Sequence, residues 1–306
     1  MHRREFITRS ALLLGTGLLA RSPLRAAAGV LSPSGAFTPL RRGVGIYTAR
    51  GGTIGWLATP DALLAVDSQF PDTARDFLQG LPDRDDRALD VLINTHHHPD
   101  HTAGNPVLGP AALRHVAHTY VPGLQRARAE RDLALGKQVY ATELFDRTWR
   151  ADLGAEVVEA RHVGPAHTAG DAIVHFQKAN VVHLGDLVFN RVYPVIDRPG
   201  GADVQSWIKL LRELPARYER DTVYIYGHGQ AGHGVTGDRH DLFVFADFLE
   251  RLRDLVQSEI VIRKPRVQIL ARTGLSGYSD WELPNPGRFR DALAAVYDEL
   301  TGADIE

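Results

Sequence analysis

The chain contains no cysteine. That excludes a structural disulfide in any compartment and removes thiolate from the available metal ligands. No run of Lys or Arg is long enough to suggest a nucleic-acid partner, and the formal net charge is only −2. Beyond the N-terminal region no segment is apolar enough to cross a bilayer. There is no internal repeat and no low-complexity stretch apart from Ser32-Pro33-Ser34-Gly35. What remains is an ordinary globular composition of a length that mixed α/β proteins run as one domain.

Against that background one short segment stands out. Thr95-His96-His97-His98-Pro99-Asp100-His101-Thr102-Ala103-Gly104 follows the apolar run Val91-Leu92-Ile93-Asn94, which reads as a buried strand. Imidazole nitrogen and carboxylate oxygen are ligands that zinc accepts. His96 and His98 are two residues apart, so extended backbone directs both to one side and His97 to the other. Pro99 turns the chain. Asp100 and His101 can then aim at a second point nearby, so one segment supplies two metal positions.

A few ligands do not close a site. Three later places qualify: His167 in Gly164-Pro165-Ala166-His167-Thr168-Ala169-Gly170-Asp171, Asp186 after Val181-Val182-His183-Leu184-Gly185, and His228 after Val223-Tyr224-Ile225-Tyr226-Gly227. The last two stand at the mouths of apolar strands. Glycine beside His228 permits close backbone approach.

In order and spacing these motifs resemble those of the metallo-β-lactamase-fold metallohydrolases, from about Gly43 to His228. The resemblance implies an α/β fold, a single-domain αββα sandwich with metals at one edge of the two sheets. It also implies that His96, His98 and His167 hold a first metal, that Asp100, His101 and His228 hold a second, and that Asp186 bridges them. The best-known lactamase subclass has a cysteine ligand where Asp186 stands, so Asp186 is more similar to the glyoxalase-type bridging carboxylate.

Such a site predicts a dinuclear zinc hydrolase, two zinc ions per chain, acting on a small-molecule ester, thioester or amide, lactams included. A hydroxide shared by the two ions is the nucleophile, and Asp100 orients it and relays its proton. Iron or manganese suits the same nitrogen and oxygen donors. Two alternatives stay open: a mononuclear iron oxidoreductase of the persulfide dioxygenase type, and a non-catalytic metal-binding accessory protein.

The N-terminus reads as an export signal over residues 1–28. Paired Arg3-Arg4 and Phe6-Ile7 precede the apolar Ala11–Ala20, and Ala26-Ala27-Ala28 follows as a small-residue cleavage site. The twin arginine resembles a Tat signal, which implies export of a folded protein to the periplasm. The apolar run is about half of the ~20 residues a membrane span needs, so no stable span is expected after cleavage. A loose segment over residues 29–42 and one domain over 43–306 complete the expected organisation.

Alternation and spacing predict strands near Gly45–Ala49, Thr53–Ala58, Ala62–Asp67, Leu113–His118, Arg147–Leu153, Glu156–Ala160 and Ala172–Phe176. Helices are expected over Asp72–Gln79, Val121–Leu135, Val204–Leu214, Leu242–Ile260 and Arg288–Leu300. Asp67, at the end of an apolar strand, is expected to support the metal loop by hydrogen bonds. His97, His162 and His233 are expected near the ligands without coordinating. His115, His118, His175 and His183 read as non-ligand strand residues. Arg191 and Tyr193, after the Asp186 strand, either contact an anionic substrate or brace their loop.

Overall fold

The computed structural model describes residues 35–132 and 136–303. Residues 1–34, which carry the expected export signal, lie outside the described residues. The first sheet has seven strands in sequence order: β1 (Ala36–Arg41), β2 (Val44–Thr48), β3 (Ile54–Ala58), β4 (Leu63–Val66), β5 (Leu89–Asn94), β6 (Ala112–His118) and β7 (Glu143–Phe145). Pairing is antiparallel from β1 to β4 and parallel from β4 to β7. The helices α1 (Pro71–Gly80), α2 (Pro99–Thr102), α3 (Asn105–Leu108) and α4 (Val121–Arg131) fall between these strands.

One expectation is corrected here. The loose segment was to run to residue 42, but Ala36–Arg41 pairs with β2. An edge strand needs only backbone partners. Three of the six residues of β1 are exposed, Pro39 among them, and only Phe37 and Leu40 pack partly against the core, so the strand carries little apolar pattern.

The second sheet takes β8 (Thr148–Leu153), β9 (Glu156–His162), β10 (Ala172–Phe176) and β11 (Val181–His183). Then follow β12 (Phe189–Asn190), α5 (Val204–Glu213), β13 (Val223–Ile225), β14 (His228–Gly229), β15 (Thr236–Gly237), α6 (Arg239–Val261), α7 (Arg266–Ile269) and α8 (Gly287–Thr301). The sheet order is β15-β13-β11-β10-β9-β8, and β12 pairs with β14 in a separate two-stranded ribbon.

Side-chain parity builds the layers. Along β4, Leu64 and Val66 face a core shared with Val158, Val174 and Phe176 of the second sheet. Leu63 and Ala65 point the other way, onto Phe77 and Ala74 of α1. All four are buried because both faces are covered, which is why the sequence reads as a continuous apolar run rather than an alternation. The outer face of the second sheet, with Ile173, Val182 and Tyr224, packs on Trp207 of α5, Phe245 and Leu249 of α6, and Phe289 of α8. The order of layers is therefore αββα, as the sequence implies.

This topology gathers strand ends. β4 and β5 are parallel neighbours, as are β11 and β13. Their C-terminal ends deliver Asp67, the His96–His101 segment, Asp186 and His228. β10 runs antiparallel to β11, so the loop preceding β10, which carries His167, reaches the same edge. Backbone bonds tie the sheets together there: Thr53 N–H donates to Gly227 O at 2.9 Å and Ala172 N–H to Thr95 O at 2.9 Å.

Candidate metal centre

Of three groups of metal-type side chains among the described residues, one is His97, His98 and Asp197, and the other two converge on this edge and carry the ligands read from the sequence. His96, His98, His167 and Asp186 form one, all buried; Asp100, His101 and His228 form the other, with His101 buried and the other two half-buried. Asp186 faces both. Its Oδ1 lies 3.0 Å from His101 Nε2, and its Oδ2 lies 3.4 Å from His228 Nε2, 3.5 Å from His167 Nε2 and 3.8 Å from His96 Nε2. His228 Nε2 is 3.0 Å from Asp100 Oδ2. The structure thus brings together all seven residues singled out in the sequence.

Local backbone explains the placement. His98 is extended and Pro99 opens α2, so Asp100 and His101 sit in the first turn of that short helix. β11 stops at His183, earlier than the apolar pattern suggests. Gly185 then turns at φ +52°, where a Cβ would meet the Thr95 side chain at 2.7 Å. This re-aims Asp186 across the sheet edge. Gly227 is glycine because a Cβ there would stand 1.8 Å from Asp186 Oδ1. The His167 loop is pinned by Asp171, whose carboxylate accepts from Thr168 N–H at 2.8 Å and from the Thr168 hydroxyl at 2.6 Å. Burial pushes the Asp171 carboxyl up to about 7.

Hydrogen bonding fixes the ring tautomers. Asp67 accepts from His101 Nδ1 at 2.8 Å, Asp197 from His98 Nε2 at 2.8 Å and the Val195 carbonyl from His167 Nδ1 at 3.0 Å. The Thr95 hydroxyl donates to Asp67 at 2.8 Å and so accepts from His96 Nδ1 at 3.0 Å. Carboxylates and carbonyls only accept, so each ring carries its proton on the outward nitrogen. Each inward nitrogen of a neutral ring is then a bare lone pair. His98 Nδ1 and His167 Nε2 face one another at 3.0 Å, an arrangement that a shared cation relieves. His96 Nε2, His101 Nε2 and Asp186 Oδ1 are buried and lack hydrogen-bond partners among the described residues. These donors fit a metal pair.

The electrostatics divide the two groups. Burial holds His96 well below the usual histidine range and takes His167 down to about 3, so both stay neutral ligands. Around His101 burial opposes charge, but the carboxylates of Asp186, Asp67 and Asp100 outweigh it and hold the imidazole well above its ordinary value. His228 rises to about 9: burial works against it, and Asp186 and Asp100 prevail. Asp186 is held well below the carboxylate range because His228 and His101 overcome its burial. Carboxylates crowd the second group closely enough to hold protons on both of its imidazoles, a place that a cation would take.

Asp67 is where expected, fully buried, at a positive φ of 67°. Asp197 has no counterpart among the sequence expectations. It accepts from His98, approaches His97 Nε2 at 3.2 Å, and takes the Gly200 N–H on its other oxygen at 3.1 Å. His97 thus turns away from the metal positions. His162 stacks on His118 with ring centroids 3.7 Å apart, and His233 is exposed. The expectation that these two lie near the ligands finds no contact to support it. Arg191 pairs with Asp280 at 3.9 Å, and the Tyr193 hydroxyl accepts from Leu275 N–H at 3.3 Å. Both brace their loop.

A cavity of about 380 Å³ opens over the centre. Asp100, Asp186 and His228 form its base, Phe189, Val192 and Val195 give it an apolar wall, and Arg128 and Arg288 stand in its lining.

A family model described as the metallo-beta-lactamase superfamily matches residues 50–228. Among curated proteins, the metallo-beta-lactamase IND-1 of Chryseobacterium indologenes is 30% identical over 90 residues, 29% of this chain and 38% of that one. The hydroxyacylglutathione hydrolase of Rhodospirillum rubrum is 26% identical over 152 residues, 47% of this chain and 50% of that one. The chain therefore matches half or less of the length of either relative. A solved metallo-beta-lactamase from Pontibacter korlensis superposes with a TM-score of 0.59 at 18% identity, covering 71% of this chain and 99% of the other. That likeness is one of fold.

Proposed function

The chain belongs to the metallo-beta-lactamase superfamily, and from that membership we propose that it is a dinuclear zinc hydrolase of a small ester, thioester or amide. The observation that carries this reading is the position of Asp186. Its two oxygens face both ligand groups at 3.0 to 3.8 Å, as a carboxylate shared by two cations must. In the proposal His96, His98 and His167 hold the first ion, Asp100, His101 and His228 the second, and Asp186 both.

Bound there, a pair of divalent ions would acidify a water near neutral pH and polarise the scissile carbonyl. The protein's own groups do the rest. Asp100 is the half-buried carboxylate at the cavity base, and His101 and His228 hold it well below the usual carboxylate range against its burial. Ionised, it accepts a hydrogen bond from the attacking water, orients it, and takes its proton for delivery to the leaving group. The Phe189 ring lies flat against His228, with centroids 5.3 Å apart and planes 12° from parallel. That contact holds the imidazole in place and keeps bulk water off one side. The proposal includes export to the periplasm, which rests on the Arg3-Arg4 leader alone.

Metal analysis of purified protein, followed by a panel of esters, thioesters and lactams, tests this reading. Two zinc ions per chain with turnover of one substrate class is the expected result. A single iron ion, or full metal loading with an inert panel, would overturn it in favour of an oxidoreductase or an accessory protein.

A further inference from the structure

His183 is the last residue of β11 and is fully buried, between the buried Val182 and Leu184. Both of its nitrogens are used. Gly185 N–H donates to Nδ1 at 3.1 Å, so the ring proton sits on Nε2, which donates to the Thr53 carbonyl at 3.2 Å. The Thr53 amide and hydroxyl donate in turn to the Gly227 carbonyl, at 2.9 and 3.0 Å, and Gly227 N–H donates to the Gly185 carbonyl at 2.7 Å. His183, Gly185, Gly227 and Thr53 thus close a buried ring of hydrogen bonds. Space is kept for the imidazole: a Cβ on Gly55 of β3 would stand 2.6 Å from His183 Cδ2, and a glycine inside a strand marks such a close approach. An apolar ring would fill the same volume with no polar group to satisfy, so burial alone does not call for histidine here.

Two members of this ring immediately precede ligand residues, Gly185 before Asp186 and Gly227 before His228. A third, Thr53, follows Gly52, whose N–H donates to the Asp100 carbonyl at 3.0 Å. The ring therefore joins the segments that carry Asp186, His228 and Asp100. The imidazoles of the first group are held elsewhere: His96 by Thr95, His98 by Asp197 and His167 by the Val195 carbonyl. We propose that His183 is a positioning residue for the second metal. By spanning Gly185 and Thr53 it sets the spacing of Asp186 and His228, and so the affinity for the second cation, without touching that cation. The inference rests on the metal-centre reading above. A neutral imidazole suits the place because one nitrogen accepts while the other donates, and burial takes His183 down to about 4. Phenylalanine offers neither.

The test measures metal binding rather than turnover. Competition with a chromophoric chelator gives the stepwise zinc affinities, and the second ion is identified as the one that His228→Ala removes. His183→Phe fills the volume and makes neither hydrogen bond. It should weaken the second ion by at least about tenfold, the low end of what a lost partner behind a metal site costs, and leave the first unchanged. In the His228→Ala background the same substitution should leave the remaining ion unchanged. His183→Asn keeps an acceptor near the place of Nδ1, and His183→Gln a donor near the place of Nε2. Each should hold the second ion more tightly than His183→Phe does, and these two variants keep the test open if the Phe variant fails to fold. A residue that only packs the core forecasts the reverse order, with the polar variants worse than Phe. That order, both ions weakened alike, or an unchanged second ion in folded His183→Phe, would overturn the proposal while two ions in the wild type leave the metal-pair reading standing. A wild type that binds one ion, held equally well without His228, would overturn the metal-pair reading and this one with it.

Discussion

Asp67 Oδ2 accepts a hydrogen bond from His101 Nδ1 at 2.8 Å, and the same carboxylate holds both the amide and the hydroxyl of Thr95 at 2.8 Å. One fully buried side chain therefore fixes the tautomers of two rings, His101 directly and His96 through Thr95. Asparagine at this place has one accepting oxygen in place of two, and its amide hydrogens would confront donors. Asp67→Asn should weaken zinc binding by about 10- to 100-fold, the usual cost of losing a carboxylate behind a ligating histidine. Competition with a chromophoric chelator measures this. Unchanged affinity in a folded variant would mean that Asp67 only closes a turn.

Asp186→Asn separates a shared ligand from a strand-end residue. A neutral amide compensates two adjacent cations poorly and bridges them badly. The three imidazoles of the first group should keep their ion, and the second should be held much more weakly. Zinc content should fall from two per chain toward one, and turnover should fall steeply with it. Two tightly held ions with near wild-type turnover, in a variant with unchanged circular dichroism, would remove the bridging role.

Much of this site is legible along the chain because its ligands stand at strand ends. The strand pattern and the ligand type are both local signals, and Ala172–Phe176 forms as its alternation predicts. Elements without a local signal are not legible. β7 is three residues long and β1 is an exposed edge strand. Asp197 meets His98 across 99 positions of sequence, and nothing in Ile196-Asp197-Arg198-Pro199 distinguishes it from a turn aspartate. Arg128 and Arg288 look like solvated helix residues until α4 and α8 are brought to one cavity. For Arg191, proximity in sequence to Asp186 leaves substrate contact and loop bracing equally open, and its ion pair with Asp280 adds to the bracing side.

The export reading concerns residues 1–28 and has its own test. Changing Arg3 and Arg4 together to Lys preserves the charge of the leader and removes the guanidinium pair. The variant should accumulate in the cytoplasm as a folded, metal-loaded precursor, measured by fractionation and blotting. Undiminished appearance in the periplasm would exclude the twin-arginine route.

The stacked pair His118 and His162 makes stability depend on pH. Burial, reinforced by repulsion from His162, takes His118 down to about 4, whereas in the unfolded chain it titrates near 6.5. Between those values the unfolded chain binds more protons, so stability rises with pH across that window. The contribution is complete above about pH 6.5 and is lost as pH falls toward 4. His118→Phe keeps a ring against His162 but removes the titrating group and two hydrogen bonds, from Nε2 to the Asp146 carbonyl at 3.1 Å and from Tyr120 N–H to Nδ1 at 3.4 Å. At pH 7.5 the variant should be less stable by about 0.5–1.5 kcal/mol, the net worth of the shorter bond, the longer one adding little. On acidification the wild type should lose stability faster, so the two curves should converge and cross below about pH 5. Urea unfolding of both proteins at matched pH values measures the difference, in which titrations common to the two cancel. Parallel curves from pH 7.5 to 4.5 would show that His118 is not held neutral by the fold.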